Sequence, residues 1–315
     1  MCRLVDSLRR TRCAVTTLLV VGVMSGLAAC ATTMPSGTTT GSRTAATPAN
    51  LTGEAPTPTT ATERTIVSVH QVMELKQVFL HPTPEYIEVN VHCPTGELAL
   101  SGGWSYDQYG GAHPDFFVIA SWRDTFDRWH IGARHESPGV LRAYVMCLKP
   151  PVGVTATIIQ RSSGPIGVFV PPGGEGVASA SCNRDETLVG GGFDIPPSQV
   201  GRVTSMTASG PSWTVHARHQ SNLDTSLLRF RVLAECLRYE GARSSFIGAP
   251  SAGTSGHTTS LPCPTNGLIS GGGYVISPTS VAYKSAATDS SSNWEVGAKP
   301  ADLAIAYAVC LILPK

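Results

Sequence analysis

Charge is scarce in this sequence: Asp, Glu, Lys and Arg make up 14% of 315 residues, and aromatics 7%. No long segment of helix-forming composition is present. With 32 Gly and 23 Pro, the chain favours a turn-rich β protein, because helices draw on Ala, Leu, Glu and Lys rather than on breakers. A surplus of positive charge is missing too. Four of the 23 basic residues (Arg3, Arg9, Arg10 and Arg12) and one of the 22 acidic ones (Asp6) fall in the first 29 positions, which leaves 19 against 21 and a net charge near −2. A near-neutral chain lacks the field that drives phosphate-backbone binding, which argues against a nucleic-acid partner.

Chemical signatures are equally sparse. No C-x-x-C pair supports a metal cluster, and no Gly-x-Ser-x-Gly elbow marks a hydrolase nucleophile. Carboxylates are scattered rather than paired, and the glycine-rich stretches precede no helix that would bind phosphate. His130 and His135 flank one strand pattern and His216 and His219 another. Residues three or five apart in a strand face opposite sides, so neither pair shares a metal. The expectation is a protein without catalytic residues, metal or cofactor; the competing class is an envelope hydrolase with dispersed catalytic residues.

What is present begins at the N-terminus. Residues 1–13 carry the arginines, residues 14–26 are apolar, and Leu27-Ala28-Ala29-Cys30 follows. This is the tripartite order of a signal peptide over 1–29, and its apolar core falls short of the roughly 20 residues of a comfortable membrane span. The tetrapeptide resembles the lipobox of bacterial lipoproteins. The resemblance implies that Cys30 receives a diacylglyceryl group, that cleavage makes it residue one, and that a further acyl chain such as palmitate is added. Two or more chains anchor durably, at roughly 0.8 kcal/mol per buried CH₂. With Ala31 rather than aspartate after the cysteine, the family rule directs the protein to the outer membrane if the organism has one. The linker, 30–65, holds 12 threonines between 31 and 62, with Arg43 and Glu54 as the charges of that stretch. Such a composition forms no core, and as a coil of this length it spans about 30 Å.

From residue 66 onward one pattern repeats three times, over 66–155, 156–240 and 241–315. Each copy opens with a cysteine (Cys93, Cys182, Cys263), followed by a glycine pair (Gly102-Gly103, Gly191-Gly192, Gly272-Gly273) and an aromatic (Trp104, Phe193, Tyr274). A Trp-x-[Ile/Val]-x-Ala-[Arg/Lys] strand then starts at Trp129, Trp213 or Trp294, and a second cysteine closes the copy (Cys147, Cys236, Cys310). The period is two: Ile87, Val89, Val91 and Cys93 alternate with Glu88, Asn90 and His92, the pattern of a half-buried strand. Glycine pairs at the end of an apolar strand indicate a bulge or a close backbone approach. Cys2 and Cys13 leave with the signal peptide and Cys30 is lipidated, which leaves six cysteines. Fifteen pairings are open, and the repeat symmetry favours Cys93–Cys147, Cys182–Cys236 and Cys263–Cys310, in a compartment where disulfides persist.

The fold class is therefore all-β, with three repeated antiparallel units of about four or five strands, each holding one internal disulfide. The units either stand as beads or close about a pseudo-threefold axis, which removes exposed edges. In repeat number and Gly, Cys and aromatic content, residues 66–315 resemble the vitelline membrane outer layer proteins. That resemblance implies a β-prism, one disulfide-stapled sheet per copy, and no functional residue. Copy one is rich in aromatics and carries an insertion of about five residues around Tyr106-Asp107-Gln108-Tyr109-Gly110-Gly111. Tyr106, Tyr109 and Trp122 are thus candidate ligand-binding aromatics, on the pattern by which β scaffolds hold sugars or proteins in loops. Phe116, Phe117 and Trp122 equally suit a larger core. The basic residue ending each Trp strand (Arg134, Arg218 and Lys299) forms either a cationic ring about the axis or a set of solvated positions. The expected partners are the membrane, through lipid, and an envelope glycan or protein.

Overall fold

The structure is a computed structural model that describes residues 67–79, 85–108, 116–220, 226–251, 257–288, 293–300 and 303–314. By its contacts the chain divides into Met1–Ala61 and Thr62–Lys315, and the described residues all lie in the second unit. Cys30 and Tyr109 lie outside them.

The described residues are all-β. Copy one contributes β1 (Ser68–Val78), β2 (Glu85–His92), β3 (Leu98–Gln108), β4 (Phe116–Thr125), β5 (Arg128–His135) and β6 (Gly139–Lys149). Copy two contributes β7 (Thr157–Ser162), β8 (Val168–Val170), β9 (Glu175–Ser181), β10 (Thr187–Asp194), β11 (Gly201–Ser209), β12 (Ser212–His219) and β13 (Leu228–Arg238). Copy three contributes β14 (Arg243–Ser251), β15 (His257–Thr259), β16 (Gly267–Ile276), β17 (Val281–Ala287), β18 (Trp294–Lys299) and β19 (Ala304–Ile312). Each copy thus holds six or seven strands rather than four or five. The extra ones are edge strands whose alternation is faint in sequence.

Three antiparallel sheets result. Sheet 1 has the order β1-β6-β3-β17-β18-β15, sheet 2 the order β2-β5-β4-β10-β13-β7 with β8 also on β13, and sheet 3 the order β14-β19-β16-β11-β12-β9. A copy is therefore not a sheet, which corrects the expectation of three separately stapled sheets. Copies one and three each place three strands in one sheet and three in another, and copy two places four (β7, β8, β10, β13) in sheet 2 and three in sheet 3, so every sheet joins parts of two copies. The seams are short and equivalent: Trp104 and Ser105 pair with Ser285 and Lys284, Phe193 and Asp194 with Ser121 and Ala120, and Tyr274 and Val275 with Met206 and Ser205. The cyclic exchange closes the three sheets about a pseudo-threefold axis.

The repeated landmarks are the parts that make this closure possible. Trp129, Trp213 and Trp294 are fully buried, and a Cβ on Gly102, Gly191 or Gly272 would run into the tryptophan ring of the same copy. On the second glycine of each pair, Gly103, Gly192 or Gly273, a Cβ would strike the carbonyl of Ser285, Ser121 or Met206 in the adjoining copy. One glycine admits the core tryptophan and the other admits the neighbouring strand. Bulges at Leu100, Val189 and Ser270 bend the strands there, as bulges do where a ladder must turn.

Residues Ser101, Gly190 and Gly271 then meet at the axis. A Cβ on Gly190 would lie 2.5 Å from that of Ser101, and a Cβ on Gly271 2.8 Å from its hydroxyl. The axis holds one side chain, and the Ser101 hydroxyl donates to the Ser270 carbonyl. The aromatic after each glycine pair packs beside it. Trp104 meets Phe193 and Tyr274 edge-to-face, with ring centroids 6.3 and 6.0 Å apart, a favoured geometry for aromatic rings.

The disulfides are Cys93–Cys147, Cys182–Cys236 and Cys263–Cys310, with separations of 54, 54 and 47 residues. The first two each tie the end of an outer strand in one sheet (β2, β9) to an inner strand of the next (β6, β13), so they fasten corners of the prism. The third does the same between β15 and β19. Copies enter at one end of the prism, where Ser68 pairs with Lys149, Thr157 with Arg238 and Arg243 with Ile312. The far end carries the C-terminal ends of β3, β10 and β16 and of the Trp strands.

Candidate functional site

Alternation sends every second residue of these strands outward, so the outer faces are written by the residues between the core positions. On sheet 1, a groove of about 380 Å³ is lined by residues of copies one and three, among them Ser105, Asp107, Arg142, Tyr144, Tyr283 and Lys284, with Met73 and His257 at its sides. Register sets Arg142, Ser105 and Lys284 in one row across β6, β3 and β17. Arg142 pairs with Asp107, and Lys284 donates to Glu295 at 2.7 Å. Glu295 also lies 3.5 Å from His257 Nδ1, and the Tyr283 hydroxyl hydrogen-bonds His257. Ser105 Oγ and the Tyr144 hydroxyl are 3.0 Å apart.

Tyr283 is buried over Gly297, where a Cβ would strike its ring. Burial first, then the charges of Glu295 and Asp107, push its hydroxyl up to about 12, so at neutral pH it keeps its proton and acts as a donor, not a nucleophile. Asp107 and His257 are more than half exposed. The groove therefore offers cationic donors, a carboxylate acceptor, hydroxyls and aromatic edges on a rigid sheet.

Sheet 2 carries a second polar and aromatic face. Trp122 is partly exposed and lies against His130, with ring centroids 5.6 Å apart, and His130 Nδ1 is 3.0 Å from the Asn90 amide oxygen. Burial lowers the His130 pKa, which leaves the imidazole neutral at pH 7. Nearby, Tyr86 covers Gly132, and Arg231 pairs with Asp194 at 2.5 Å. His257 and Glu295 on sheet 1 occupy the register positions of Glu88 and His130 on sheet 2, with acid and imidazole exchanged. On sheet 3, which holds no strand of copy one, those positions are Val177 and Thr214.

The sequence-derived candidates divide. Trp122 is on an outer face rather than in the core. Tyr106 does not face outward: it is 1% exposed, stacked on Phe116 at 4.1 Å, and its hydroxyl donates to the Ser137 carbonyl at 2.5 Å. It points inward because its strand alternation places it with Trp104. Arg134, Arg218 and Lys299 stand at equivalent positions on three different sheets, but they do not line the axis mouth. Phe117, Arg202 and Val281, their cross-strand partners, do so. Arg134 reaches the Gln199 carbonyl at 3.5 Å, and Lys299 lies 5.8 Å from the Tyr283 ring centre.

Sequence reasoning missed Arg142, Tyr144, His257, Tyr283, Lys284 and Glu295. Their outward orientation was readable from period two, but their meeting depends on which copies share a sheet. Two clusters bring Glu and His groups near cysteine, His70–Glu97–Cys147 and Cys182–Glu186–Cys236. Their sulfurs are bound in disulfides and offer no thiolate to a metal. No protein-family model matches this sequence, and none of the curated proteins is significantly similar to it.

Proposed function

We propose that the chain is an extracytoplasmic bacterial lipoprotein, anchored through Cys30, whose prism is a non-catalytic module that holds a polar glycan of the cell envelope in the groove on sheet 1. The observation that carries this reading is where copy-one strands lie: the central row of sheet 1 is Arg142, Ser105 and Lys284, while its counterpart on sheet 3, which holds no copy-one strand, is Ile305, Val275 and Ser205. A sugar presents hydroxyls that both donate and accept, and apolar faces that rest on aromatics; the groove supplies Asp107, Lys284, Tyr144 and Tyr283 for those tasks. Three disulfides support an oxidising compartment. If the organism has an outer membrane, Ala31 after the anchor directs the protein there.

The test is binding of the mature, disulfide-bonded protein to an array of envelope glycans. Asp107→Ala and Lys284→Ala each remove one charge-assisted hydrogen bond and are expected to weaken binding by about tenfold or more. Binding by the protein to no glycan, or turnover of any envelope substrate, would overturn the reading, the second in favour of a hydrolase. In cells, Cys30→Ala is expected to abolish lipid labelling and to shift the protein from the membrane to the soluble fraction.

A further inference from the structure

The three copies supply an internal comparison at the far end of the prism. Where copy two meets copy three, Arg202 on β11 fills the space beside the connection to β17. Its guanidinium donates to the carbonyls of Pro278, Thr279 and Ser280, the last two at 3.4 and 3.5 Å. The Gln220 amide oxygen accepts from its Nε at 2.8 Å and from Nη1 at 3.2 Å, in the amide orientation that satisfies both groups. No carboxylate pairs with Arg202 among the described residues. This space is thus built to hold a cationic donor among neutral acceptors, and here the protein supplies that donor itself.

Where copy one meets copy two, the same place is empty. The counterpart of Arg202 is Phe117, since each pairs with the basic residue ending its Trp strand: Phe117 with Arg134, Arg202 with Arg218. The counterpart of Gln220, two residues past that basic position, is Glu136. A cavity of about 150 Å³ remains, with Phe117, Ile119, Val200 and Gly201 as apolar walls. Arg134, Glu136 and Gln199 supply its polar groups. The Nε of Arg134 is buried with no hydrogen-bond partner among the described residues, and its Nη1 makes only the 3.5 Å contact with the Gln199 carbonyl. The wall is preformed: Gln199 Oε1 accepts the Arg229 backbone N–H at 2.6 Å, and its amide donates to the Leu227 carbonyl at 3.2 Å.

We propose that this cavity binds a free α-amino acid with a branched aliphatic side chain, its carboxylate on Arg134 and its ammonium on Glu136. Arg134 lines the cavity, and a guanidinium fork is a donor shaped for a carboxylate. Glu136, just past the end of β5, lines the same cavity as Arg134 and replaces the neutral amide that receives a cation at the other junction. An apolar space of about 150 Å³ admits a body of benzene's size, which suits a four-carbon side chain and is too small for an indole.

Calorimetry on the full mature chain tests this with L-leucine and with 4-methylpentanoate, which lacks the ammonium. Leucine is expected to bind with a stoichiometry of one per chain, and 4-methylpentanoate at least about tenfold more weakly. Arg134→Gln and Glu136→Gln are each expected to weaken leucine by about tenfold or more. Phe117→Arg, which copies the solution of the other junction, is expected to abolish binding while near-ultraviolet circular dichroism stays native; glycan retention by sheet 1 is expected to be unchanged in it. Absence of saturable binding by leucine, valine and isoleucine would overturn the proposal. So would equal affinity for 4-methylpentanoate, or leucine binding that survives in a folded Phe117→Arg protein.

Discussion

At the scale of single residues, the closure of the prism rests on side chains that are absent. Gly190 and Gly271 have no exceptional backbone angle; what they provide is room for Ser101 at the axis. Gly190→Ala is expected to destabilise by about 1–3 kcal/mol, the usual range for overpacking a tight core. Ser101→Gly in the same chain is expected to restore most of that loss, because the next neighbour of the new Cβ, the Leu100 carbonyl, lies at 3.4 Å. The same rescue is expected to fail for Gly271→Ala, whose Cβ would still meet the Val189 carbonyl at 2.9 Å, a backbone atom that cannot turn aside. Denaturant midpoints of the two alanine variants, Ser101→Gly alone and the two doubles measure the coupling. A similar economy governs the tryptophans. The Nε1 groups of Trp129 and Trp294 donate to Ser121 at 3.1 Å and Ser285 at 3.0 Å, while Met206 takes the third serine's place and Trp213 Nε1 has no hydrogen-bond partner among the described residues.

At the scale of strands and seams, the three junctions between copies are alike in backbone and unlike in core chemistry. In sheet 2, Arg123 of copy one donates to Glu235 of copy two at 2.6 Å, with both side chains buried, and Gln160 adds a bond of 2.7 Å to the same carboxylate. The equivalent positions are Ala287 and Met146 in sheet 1, and Ala208 and Val309 in sheet 3. Burial pushes the Glu235 carboxyl up, and Arg123 and Gln160 pull it back. Removing one partner leaves a buried charge alone, so Arg123→Ala and Glu235→Met are each expected to lose about 3–5 kcal/mol. The double variant, which copies sheet 1, is expected to recover most of it, since apolar packing commonly equals a buried ion pair. A double variant as unstable as the sum of the singles would show that the pair contributes more than its equivalents do. Among the described residues, this seam differs from the other two in that one copy's cation meets another copy's acid in the core.

At the scale of the whole molecule, exchange of half-sheets makes the copies interdependent. A chain ending at residue 240 keeps two complete sets of landmarks, and separate beads would fold from it. In this architecture it loses half of sheet 1 and half of sheet 3, exposing the seam edges of β3 and β11 and the axial aromatics. Such a truncation is expected to lack a cooperative unfolding transition and to aggregate, as unpaired edges and apolar surface favour association; the check is calorimetry beside the full chain. The same interdependence explains why both candidate sites lie across copies, the groove between copies one and three and the cavity between copies one and two. A site at a seam draws on two sets of residues that have diverged separately, whereas the landmarks that close the prism are held in common.

The repeat, the strand character and the disulfide pairing were all legible in sequence, because each is a property of one copy: alternation with period two marks buried positions, and one cysteine opening and one closing every copy points each pair inward. Tyr106 was misplaced because it was read as part of an inserted loop, whereas β3 runs on to Gln108 and the two-residue step from Trp104 puts both side chains on the buried face. What only the tertiary structure decided is which half of one copy pairs with which half of another. Period two tells a strand which face is apolar and nothing about the identity of its neighbour. The groove of His257, Tyr283 and Arg142, and the space that Arg202 fills at one seam and Phe117 leaves open at another, exist only once the partners of β3, β10 and β16 are chosen.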